Sequence, residues 1–388
     1  MNWDDVIIDA AATDTGLRRS NNQDSYTIVR APHAEAWRQR GHVFLVADGM
    51  GAHAVGELAS KMACDLIPHN YMKTRAGTTS EAIVKTFRDV SALIHSRASA
   101  NRDFQGMGTT CSALLLLPEG ALIAHVGDSR VYRIRGQRID QLSFDHSLVW
   151  ELVRRNHLTS EQAKVSVPKN VITRSLGPEV EIEVDIEGPL AVELGDVFLL
   201  CSDGLSGPVE DNELGVFAGN FHPRDACRYL VNLANLRGGL DNITVLLVRI
   251  GAWIDPDSTE IHQQPDPKAA RDGRDRASWR KRLTGLLTGR RSSGPSVVED
   301  HPYRTYSCPI DEDLLSRLHD LTRTAQEQAI EQAWSIDWTL LASLRRQESE
   351  ARAAKNAWMT LRKLGEIISL LGLGLRFHRK SGGSQDIH

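Results

Sequence analysis

The stretch Val43-Phe44-Leu45-Val46-Ala47-Asp48-Gly49-Met50-Gly51 begins with an apolar, partly β-branched run and ends in a carboxylate followed by glycines. Such a run predicts a buried strand that delivers Asp48 to the rim of a sheet. Because glycine lets the backbone approach a ligand closely, the Gly49 carbonyl could bind the same hard cation as Asp48. An Asp-Gly pair after a strand is more often a turn than a metal site. The stretch by itself therefore leaves both interpretations open.

The same arrangement recurs at the edges of later apolar runs. Asp128 follows one such run, Asp203 follows a second, and Asp241 precedes a third. Together with Asp48 they form a set of oxygen ligands without an accompanying set of cysteines or histidines, which favours magnesium or manganese over zinc. Two such ions can hold a phosphoryl group for in-line attack and lower the pKa of a bridging water. The recurrence makes a metal site the better interpretation.

Composition sets limits on the kind of protein. With 388 residues, a formal charge of −4 and 25% charged residues, the chain is ordinary for a soluble protein of one large or two smaller domains, and nothing demands a nucleic-acid partner. We see neither a secretory signal nor an apolar span long enough for a bilayer. Five scattered cysteines predict reduced, buried thiols and a cytoplasmic location, and none is followed six residues later by an arginine, as a thiolate phosphate-binding loop requires. They are Cys64, Cys111, Cys201, Cys227 and Cys308.

Changes in composition divide the chain into four segments. Residues 1–252 alternate short apolar runs with turn signals and amphipathic segments, which predicts one mixed α/β domain. Residues 253–310 are rich in Pro, Ser, Gly and charge, which predicts a disordered linker. Residues 311–377 show apolar spacings of three and four, which predict a helical segment, and residues 378–388 a flexible tail.

Two interpretations of the C-terminal third are open. The basic linker could touch nucleic acid or acidic lipid, and Leu361–Phe377 with its neighbouring basic residues could lie on a membrane surface. Alternatively, the helices pack, self-associate or bind a protein partner. Helical periodicity favours this second interpretation, so we expect neither nucleic acid nor a membrane as a partner.

A polar, Gly-containing segment, Thr13–Asp24, lies between two strand-like runs and is predicted to be a loop entering a strand. Within it, Arg19 could present its planar guanidinium to a phosphate group, whose oxygens match it bidentately. A solvated arginine on a turn is the common alternative.

Seven motifs occur in a fixed order along residues 5–251. They are Asp14-x-Gly-x-x-Arg19-x-Asn-x-Gln23-Asp24, Val46-Ala47-Asp48-Gly49-Met50-Gly51, Gly108-Thr109-Thr110, Gly127-Asp128-Ser129-Arg130, Asp145-His146-Ser147, Cys201-Ser202-Asp203-Gly204 and Asp241-Asn242. This series resembles the metal-dependent serine/threonine protein phosphatases of the protein phosphatase 2C (PPM) type, in their bacterial form. The resemblance implies an α+β fold, a four-layer α-β-β-α sandwich of two antiparallel sheets flanked by helices, here followed by a C-terminal helical segment.

The resemblance also implies roles for single residues. Asp48 resembles the ligand shared by two Mn²⁺ or Mg²⁺ ions, and the Gly49 carbonyl resembles a ligand of the second ion. Asp203 and Asp241 resemble ligands of the first ion. Asp128 occupies the position of a third, weaker ion.

Two further positions match the family's site, and two depart from its pattern. Asp24 occupies the position that holds metal-bound water, and Arg19 that of the phosphate-binding arginine. Gln23 replaces an acidic residue common before Asp24, which implies weaker binding of the second metal. Met50 stands where many relatives carry a histidine proposed as general acid, so the leaving oxygen could take its proton from metal-bound water.

The implied reaction is direct hydrolysis of phosphoserine and phosphothreonine in proteins by a metal-activated water, without a phosphoenzyme. Arg19 and Asp48 are the predicted catalytic residues, phosphorylated proteins the predicted substrates, and a bacterial Ser/Thr kinase the predicted opposing enzyme. The alternative is a weakened phosphatase fold that acts as a binding or scaffold protein through its C-terminal helices.

Overall fold

The computed structural model of the chain describes residues 6–51, 55–74, 77–154, 171–255 and 303–382. In these residues the strands are β1 (Ile7–Asp14), β2 (Asp24–Val29), β3 (His42–Met50), β4 (Gly108–Thr109), β5 (Cys111–Leu117), β6 (Gly120–Val126), β7 (Arg130–Arg135), β8 (Arg138–Gln141), β9 (Asp185–Leu190), β10 (Val197–Cys201), β11 (Ile243–Ile250) and β12 (Arg304–Ser307). The α-helices are α1 (Ala34–Arg40), α2 (Val55–Lys73), α3 (Thr79–Ala100), α4 (Leu148–Arg154), α5 (Asp203–Ser206), α6 (Asp211–Asn220), α7 (Pro223–Leu236), α8 (Glu312–Glu331), α9 (Trp338–Ala353) and α10 (Ala357–Gly382).

The strands form two antiparallel sheets. The first has the order β1-β11-β10-β7-β8-β12, and the second has the order β2-β3-β5-β6-β9, with β4 paired to β3. One hydrophobic cluster joins the second sheet to α2 and α3, and another joins the first sheet to α6 and α7. The predicted four-layer α-β-β-α sandwich is confirmed.

Strand β3 is buried on both of its faces. Val43, Leu45 and Ala47 belong to the cluster that contains α2 and α3, whereas the alternating Phe44 and Val46 point to the opposite face and are also buried. A strand buried on both faces has a continuous apolar sequence, which explains the run from which the fold was predicted.

The Asp-Gly pair does not form a turn, because β3 continues through it to Met50. Gly49 pairs with Thr109 and Met50 pairs with Gly108 on β4. The predicted end of the apolar run at Ala47 is thus not the end of the strand. Asp48 lies on regular, paired backbone, which fixes it more firmly than a turn would.

The C-terminal helices pack on the sandwich, and the described residues up to Trp253 and from Arg304 onward form one compact unit. Leu361, Leu364 and Ile368 of α10 join the hydrophobic cluster of the first sheet and α7. Their spacing of three and four residues places them on one face of the helix. This packing agrees with the helical periodicity of the sequence, and binding of a further partner stays a prediction. No helix in the described ranges is long and apolar enough to span a membrane.

Two glycines bring α10 close to α7. A Cβ atom at Gly365 would lie 2.9 Å from the ring of Tyr229, and one at Gly372 would lie 2.6 Å from Oδ1 of Asn232. Since real Cβ atoms do not tolerate contacts this short, only glycine permits this separation of the two helices.

The structure differs from the predicted linker at its C-terminal end. Strand β12 pairs with β8, the Thr305 hydroxyl donates a hydrogen bond to Asp140 Oδ1 at 2.7 Å, and Cys308 is buried. An edge strand that pairs with a distant partner has no local compositional signal, so the sequence could not show it. Residues 256–302 of the predicted linker, and residues 383–388 of the predicted tail, lie outside the described residues. Helix α10 continues to Gly382, past the predicted end at residue 377.

Replacement of Leu364 by alanine tests whether α10 is part of the core. Leu364 has no exposed surface, so Leu364→Ala is expected to lower the free energy of unfolding by about 2–5 kcal/mol, the usual cost of such a cavity. Urea denaturation followed by circular dichroism measures this change. Leu373→Ala is the matched control, since Leu373 lies on the same helix and is 38% exposed. Equal effects of the two substitutions would contradict the packing described here.

Candidate functional site

Five carboxylates from both sheets meet at one end of the sandwich. Asp24 is the first residue of β2 and lies directly across from Asp48 on β3. Asp128 lies in the turn between β6 and β7, Asp203 begins α5 after β10, and Asp241 lies just before β11. The strand termini therefore bring together side chains that are up to 217 positions apart in the sequence.

These carboxylates raise one another's pKa values. The pKa of Asp48 lies well above its ordinary value because of burial and of the charges of the other four carboxylates. Burial is the main cause of the raised pKa values of Asp24 and Asp128, each about 7, and nearby Asp203 raises both further. The pKa of Asp203 is raised by burial and by Asp241. The site thus holds more carboxylates than can be ionised together without positive charge nearby.

The backbone around Asp48 is held by the Gly-Thr-Thr motif. The Asp48 amide donates to the Thr110 hydroxyl at 2.9 Å, and the Asp48 carbonyl accepts from the Thr110 amide at 2.8 Å and from the Thr109 hydroxyl at 2.9 Å. The Thr110 hydroxyl also contacts the Ser129 hydroxyl at 2.7 Å, next to Asp128. Thr110 therefore couples the positions of Asp48 and Asp128.

Gly49 has no space for a side chain. A Cβ atom there would lie 2.1 Å from the Gly56 carbonyl oxygen. The Gly49 amide donates to the Gln23 carbonyl at 3.1 Å, which joins the strand to the loop before Asp24. The glycine after Asp48 is thus required by close packing of backbone against the start of α2.

Arg19 lies at the edge of the carboxylate cluster. Its Nη2 donates to Asp241 Oδ2 at 2.8 Å, and this contact is the main cause of the raised pKa of the guanidinium group. About half of the side chain, 51%, is exposed, so the guanidinium is accessible to an incoming anion. Arg19 and Asp241 therefore occupy one site, although 222 positions separate them.

Asn242 and Ser202 support the site, and their roles were not evident from the sequence. The Asn242 side-chain amide donates to the carbonyls of Thr15 and Asn21 at 2.9 Å, and its Oδ1 accepts from the Gln23 amide at 2.8 Å. Asn242 thus fixes both ends of the loop that carries Arg19. The Ser202 hydroxyl donates to Asp24 Oδ2 at 2.7 Å. Both belong to motifs of the series, but their hydrogen-bond partners lie far away in sequence, so only the structure shows what they do.

His146, in the motif Asp145-His146-Ser147, makes structural contacts. Its Nδ1 accepts from the Gly127 amide at 3.1 Å, and its Nε2 lies 3.0 Å from Asp185 Oδ2. The ring is buried, so it holds the turn before Asp128.

Gln23, one of the positions that depart from the family pattern, donates a hydrogen bond through Nε2 to the Gly51 carbonyl at 3.3 Å.

The chemistry of the cluster fits hard divalent cations. Buried Oδ1 atoms of Asp24, Asp128 and Asp203 have no hydrogen-bond partner, and an oxygen acceptor in that state is suited to a cation. Among the described residues, no three carboxylate, imidazole or thiol groups are arranged as a complete ligand set for one ion. Magnesium keeps several waters of its own, so carboxylates can act on such an ion directly or through bound water.

Comparison with known proteins gives a consistent result. A sequence model described as "Protein phosphatase 2C" matches residues 17–234. The protein phosphatase PhpP of Streptococcus pneumoniae serotype 2 is 37% identical over 242 residues, which cover 61% of this chain and 94% of that protein.

Two solved structures are similar to this fold. The serine/threonine phosphatase of S. agalactiae has a TM-score of 0.57 and 34% identity, over 63% of this chain and 99% of that one. The catalytic domain of the serine threonine protein phosphatase PstP, in complex with 2 manganese ions, has a TM-score of 0.54 and 31% identity, over 64% of this chain and 99% of that one.

The raised pKa values predict an unusual pH dependence of stability without metal. A carboxyl group whose pKa is near 7 in the folded state and near 3.8 when unfolded stabilises the fold while protonated. That contribution is lost as the pH rises from 4 to 7, so the melting temperature of chelator-treated protein should fall over this range. Asp24→Asn should flatten the profile, since asparagine does not ionise and its Oδ1 still accepts from Ser202.

Manganese supplies the complementary measurement. An excess of Mn²⁺ should raise the melting temperature more at pH 8 than at pH 5, because protons compete with the cation for the same oxygens. A metal-free profile that Asp24→Asn leaves unchanged, together with no response to Mn²⁺, would contradict the electrostatics described here.

Proposed function

The chain belongs to the protein phosphatase 2C family, and from this membership we propose that its five clustered carboxylates and Arg19 form a phosphate-hydrolysing site with two divalent cations. The protein is a serine/threonine protein phosphatase that depends on metal. The observation that supports the proposed site best is the set of buried, unpartnered carboxylate oxygens beside an accessible guanidinium.

We assign the metal ligands as follows. Asp48 would be shared by both ions, Asp203 and Asp241 would hold the first, and the Gly49 carbonyl would hold the second. Asp24 would hold metal-bound water, and Asp128 would serve a third, weaker ion. When bound, divalent manganese or magnesium lowers the pKa of a water and stabilises charge on the phosphoryl group. PstP, a structural relative, contains two manganese ions, which supports this metal number.

Arg19 binds the phosphoryl group of the substrate. Its guanidinium donates to Asp241 from one nitrogen and the side chain is 51% exposed, so a phosphate can bind further donors of the planar group. Because phosphate carries more negative charge than a carboxylate, it competes well for this group. Arg19 thus orients the phosphoryl group so that its phosphorus atom lies over the carboxylate cluster, and it disfavours other binding orientations of that group.

The cysteines take no part in the reaction. All five are buried, and burial raises the pKa of each thiol, to about 12 for Cys201 and about 11 for Cys308. A thiol of this kind supplies no thiolate nucleophile near neutral pH. A phosphocysteine intermediate is therefore no part of the proposed reaction, in which water attacks the phosphoryl group directly.

Proteins that carry phosphoserine or phosphothreonine are the proposed substrates, and a bacterial Ser/Thr kinase is the proposed opposing enzyme. The names of the relatives, serine/threonine phosphatases of bacteria, support this role in signal transduction. Five buried, unoxidised cysteines support a cytoplasmic location. The alternative of a scaffold with a weakened phosphatase fold is not favoured, because every carboxylate of the site is present and clustered.

Asp48→Asn tests the carboxylate cluster. The substitution removes the charge shared by both proposed ions and preserves shape, so kcat for a phosphothreonine peptide with Mn²⁺ should fall at least about a hundredfold. Steady-state release of inorganic phosphate measures this. Asp89→Asn, an exposed position on α3 that pairs with Lys85, is the matched control and should retain wild-type activity. Full metal-dependent activity of Asp48→Asn would contradict the assignment of Asp48, whereas a wild-type protein without activity in Mn²⁺ would favour the scaffold function.

Arg19→Ala tests the phosphate contact. Loss of a charged hydrogen-bond donor should raise KM for the same peptide by roughly tenfold or more, with a smaller change in kcat. Arg18→Ala is the control, since Arg18 is exposed in the same loop and carries the same charge. If both variants weaken binding equally, the effect is one of general charge, and the specific role of Arg19 is wrong.

A further inference from the structure

The last helix of the chain reaches the loop that carries Arg19. Arg376, near the C-terminal end of α10, donates through Nη1 to Asp14 Oδ2 at the end of β1. The pair joins residues 362 positions apart, and both side chains are largely shielded from water, with 26% and 13% of their surfaces exposed. Arg376 lies outside the matched family range, residues 17–234.

Asp14 is the residue that joins this loop to helices α7 and α10. Its Oδ1 accepts from the Gly16 amide at 2.9 Å and from the Asn235 side-chain amide of α7 at 3.1 Å, while Oδ2 accepts from Arg376. Gly16 in turn packs against the backbone of Asp241, where a Cβ atom would lie 2.2 Å from the Asp241 carbonyl oxygen. The orientation of the Asp14 carboxylate therefore determines how the loop sits against Asp241.

Apolar contacts hold the same loop against the C-terminal helices. Leu17 packs against a hydrophobic cluster built from α8, α9 and α10 and the connection between α8 and α9, to which Ile367, Leu371 and Leu375 contribute. Its amide donates to the Gly239 carbonyl at 2.7 Å, two residues before Asp241. Arg19 lies two residues after Leu17 in the same loop. Helix α10 thus holds the loop by two kinds of contact: the ion pair of Arg376 with Asp14, and the apolar cluster against which Leu17 packs.

Helix α10 is rigid enough to hold the loop in place. Its close packing on α7 at Gly365 and Gly372 leaves little room for it to slide or rotate. The Arg376 guanidinium is therefore presented to Asp14 from a fixed helix.

We propose that Arg376 is a positioning residue for phosphate binding: through Asp14 it holds the 15–23 loop so that Arg19 faces the carboxylate cluster. The proposal rests on the proposed function, because it concerns how that site acquires its phosphate contact. It assigns to the C-terminal helices a part in substrate binding that the catalytic motifs do not contain.

Arg376→Met tests this proposal, with Arg376→Lys and Arg352→Met beside it. Methionine keeps much of the aliphatic volume and removes the charge, so KM for a phosphothreonine peptide and the inhibition constant of inorganic phosphate should both rise about three- to tenfold, with kcat nearly unchanged. Lysine, which can still pair with Asp14, should restore part of the loss. Arg352 pairs with Glu312 within the C-terminal helices, so Arg352→Met should leave both constants unchanged.

A double-mutant cycle separates positioning from a general loss of stability. In an Arg19→Ala background, Arg376→Met should no longer change the inhibition constant of phosphate, because the contact that it positions is absent. The same fold-change in both backgrounds would overturn the proposal. Unchanged KM and inhibition constants in Arg376→Met alone would also overturn the proposal.

Hydrogen exchange gives a readout that does not depend on activity. Amides of residues 15–23, including those of Gly16 and Leu17, should exchange faster in Arg376→Met than in wild type or Arg352→Met. Unchanged exchange would overturn the proposal even in an active enzyme. If the wild-type protein failed to hydrolyse phosphopeptides with Mn²⁺, the proposed function would fail, while exchange would still show whether Arg376 holds the loop.

Discussion

The structure depends on bringing five carboxylates close together although their negative charges repel one another. Asp24 and Asp48 face each other across two paired strands, where like charges are destabilising, and Asp203, Asp128 and Asp241 add to the same field. While its members are ionised, such a cluster destabilises the fold, so the free energy that holds it together must come from elsewhere. Buried strands and two helix layers supply it, and a cation or proton relieves the repulsion. A site that destabilises its own protein in this way is typical of function.

The rest of the molecule fixes the geometry of this cluster from both sides. Beneath it, β3 continues through Asp48 as paired backbone, with Thr110 bonded to its amide and carbonyl. Above it, Asn242 ties together the loop that presents Arg19. Each of these contacts joins segments far apart in sequence. The site is therefore a property of the completed sandwich, and no single motif could form it.

Local patterns in the sequence predicted the parts of the fold that depend on local chemistry. The apolar run before Asp48 predicted a buried strand, whereas the sandwich was implied by the resemblance of the motif series to a known family. The sequence could not show that Asp48 lies within the strand, because that depends on β4, nor that β12 completes a sheet edge beside Asp140. The buried contacts of His146 with Gly127 and Asp185 likewise come only from tertiary structure.

The C-terminal helices show why a segment outside the family match is still part of the enzyme. The 242 aligned residues cover 94% of PhpP, which leaves no room there for a counterpart of these three helices. In this chain Tyr229 and Asn232 of α7, both buried, are packed against Gly365 and Gly372, so removal of α10 would expose an apolar and unsatisfied surface. The extension has thus become part of the core that supports α7. Helix α7 also carries Asn235, which donates a hydrogen bond to Asp14. A displacement of α10 would therefore move the Arg19 loop in two ways, directly through Arg376 and indirectly through α7.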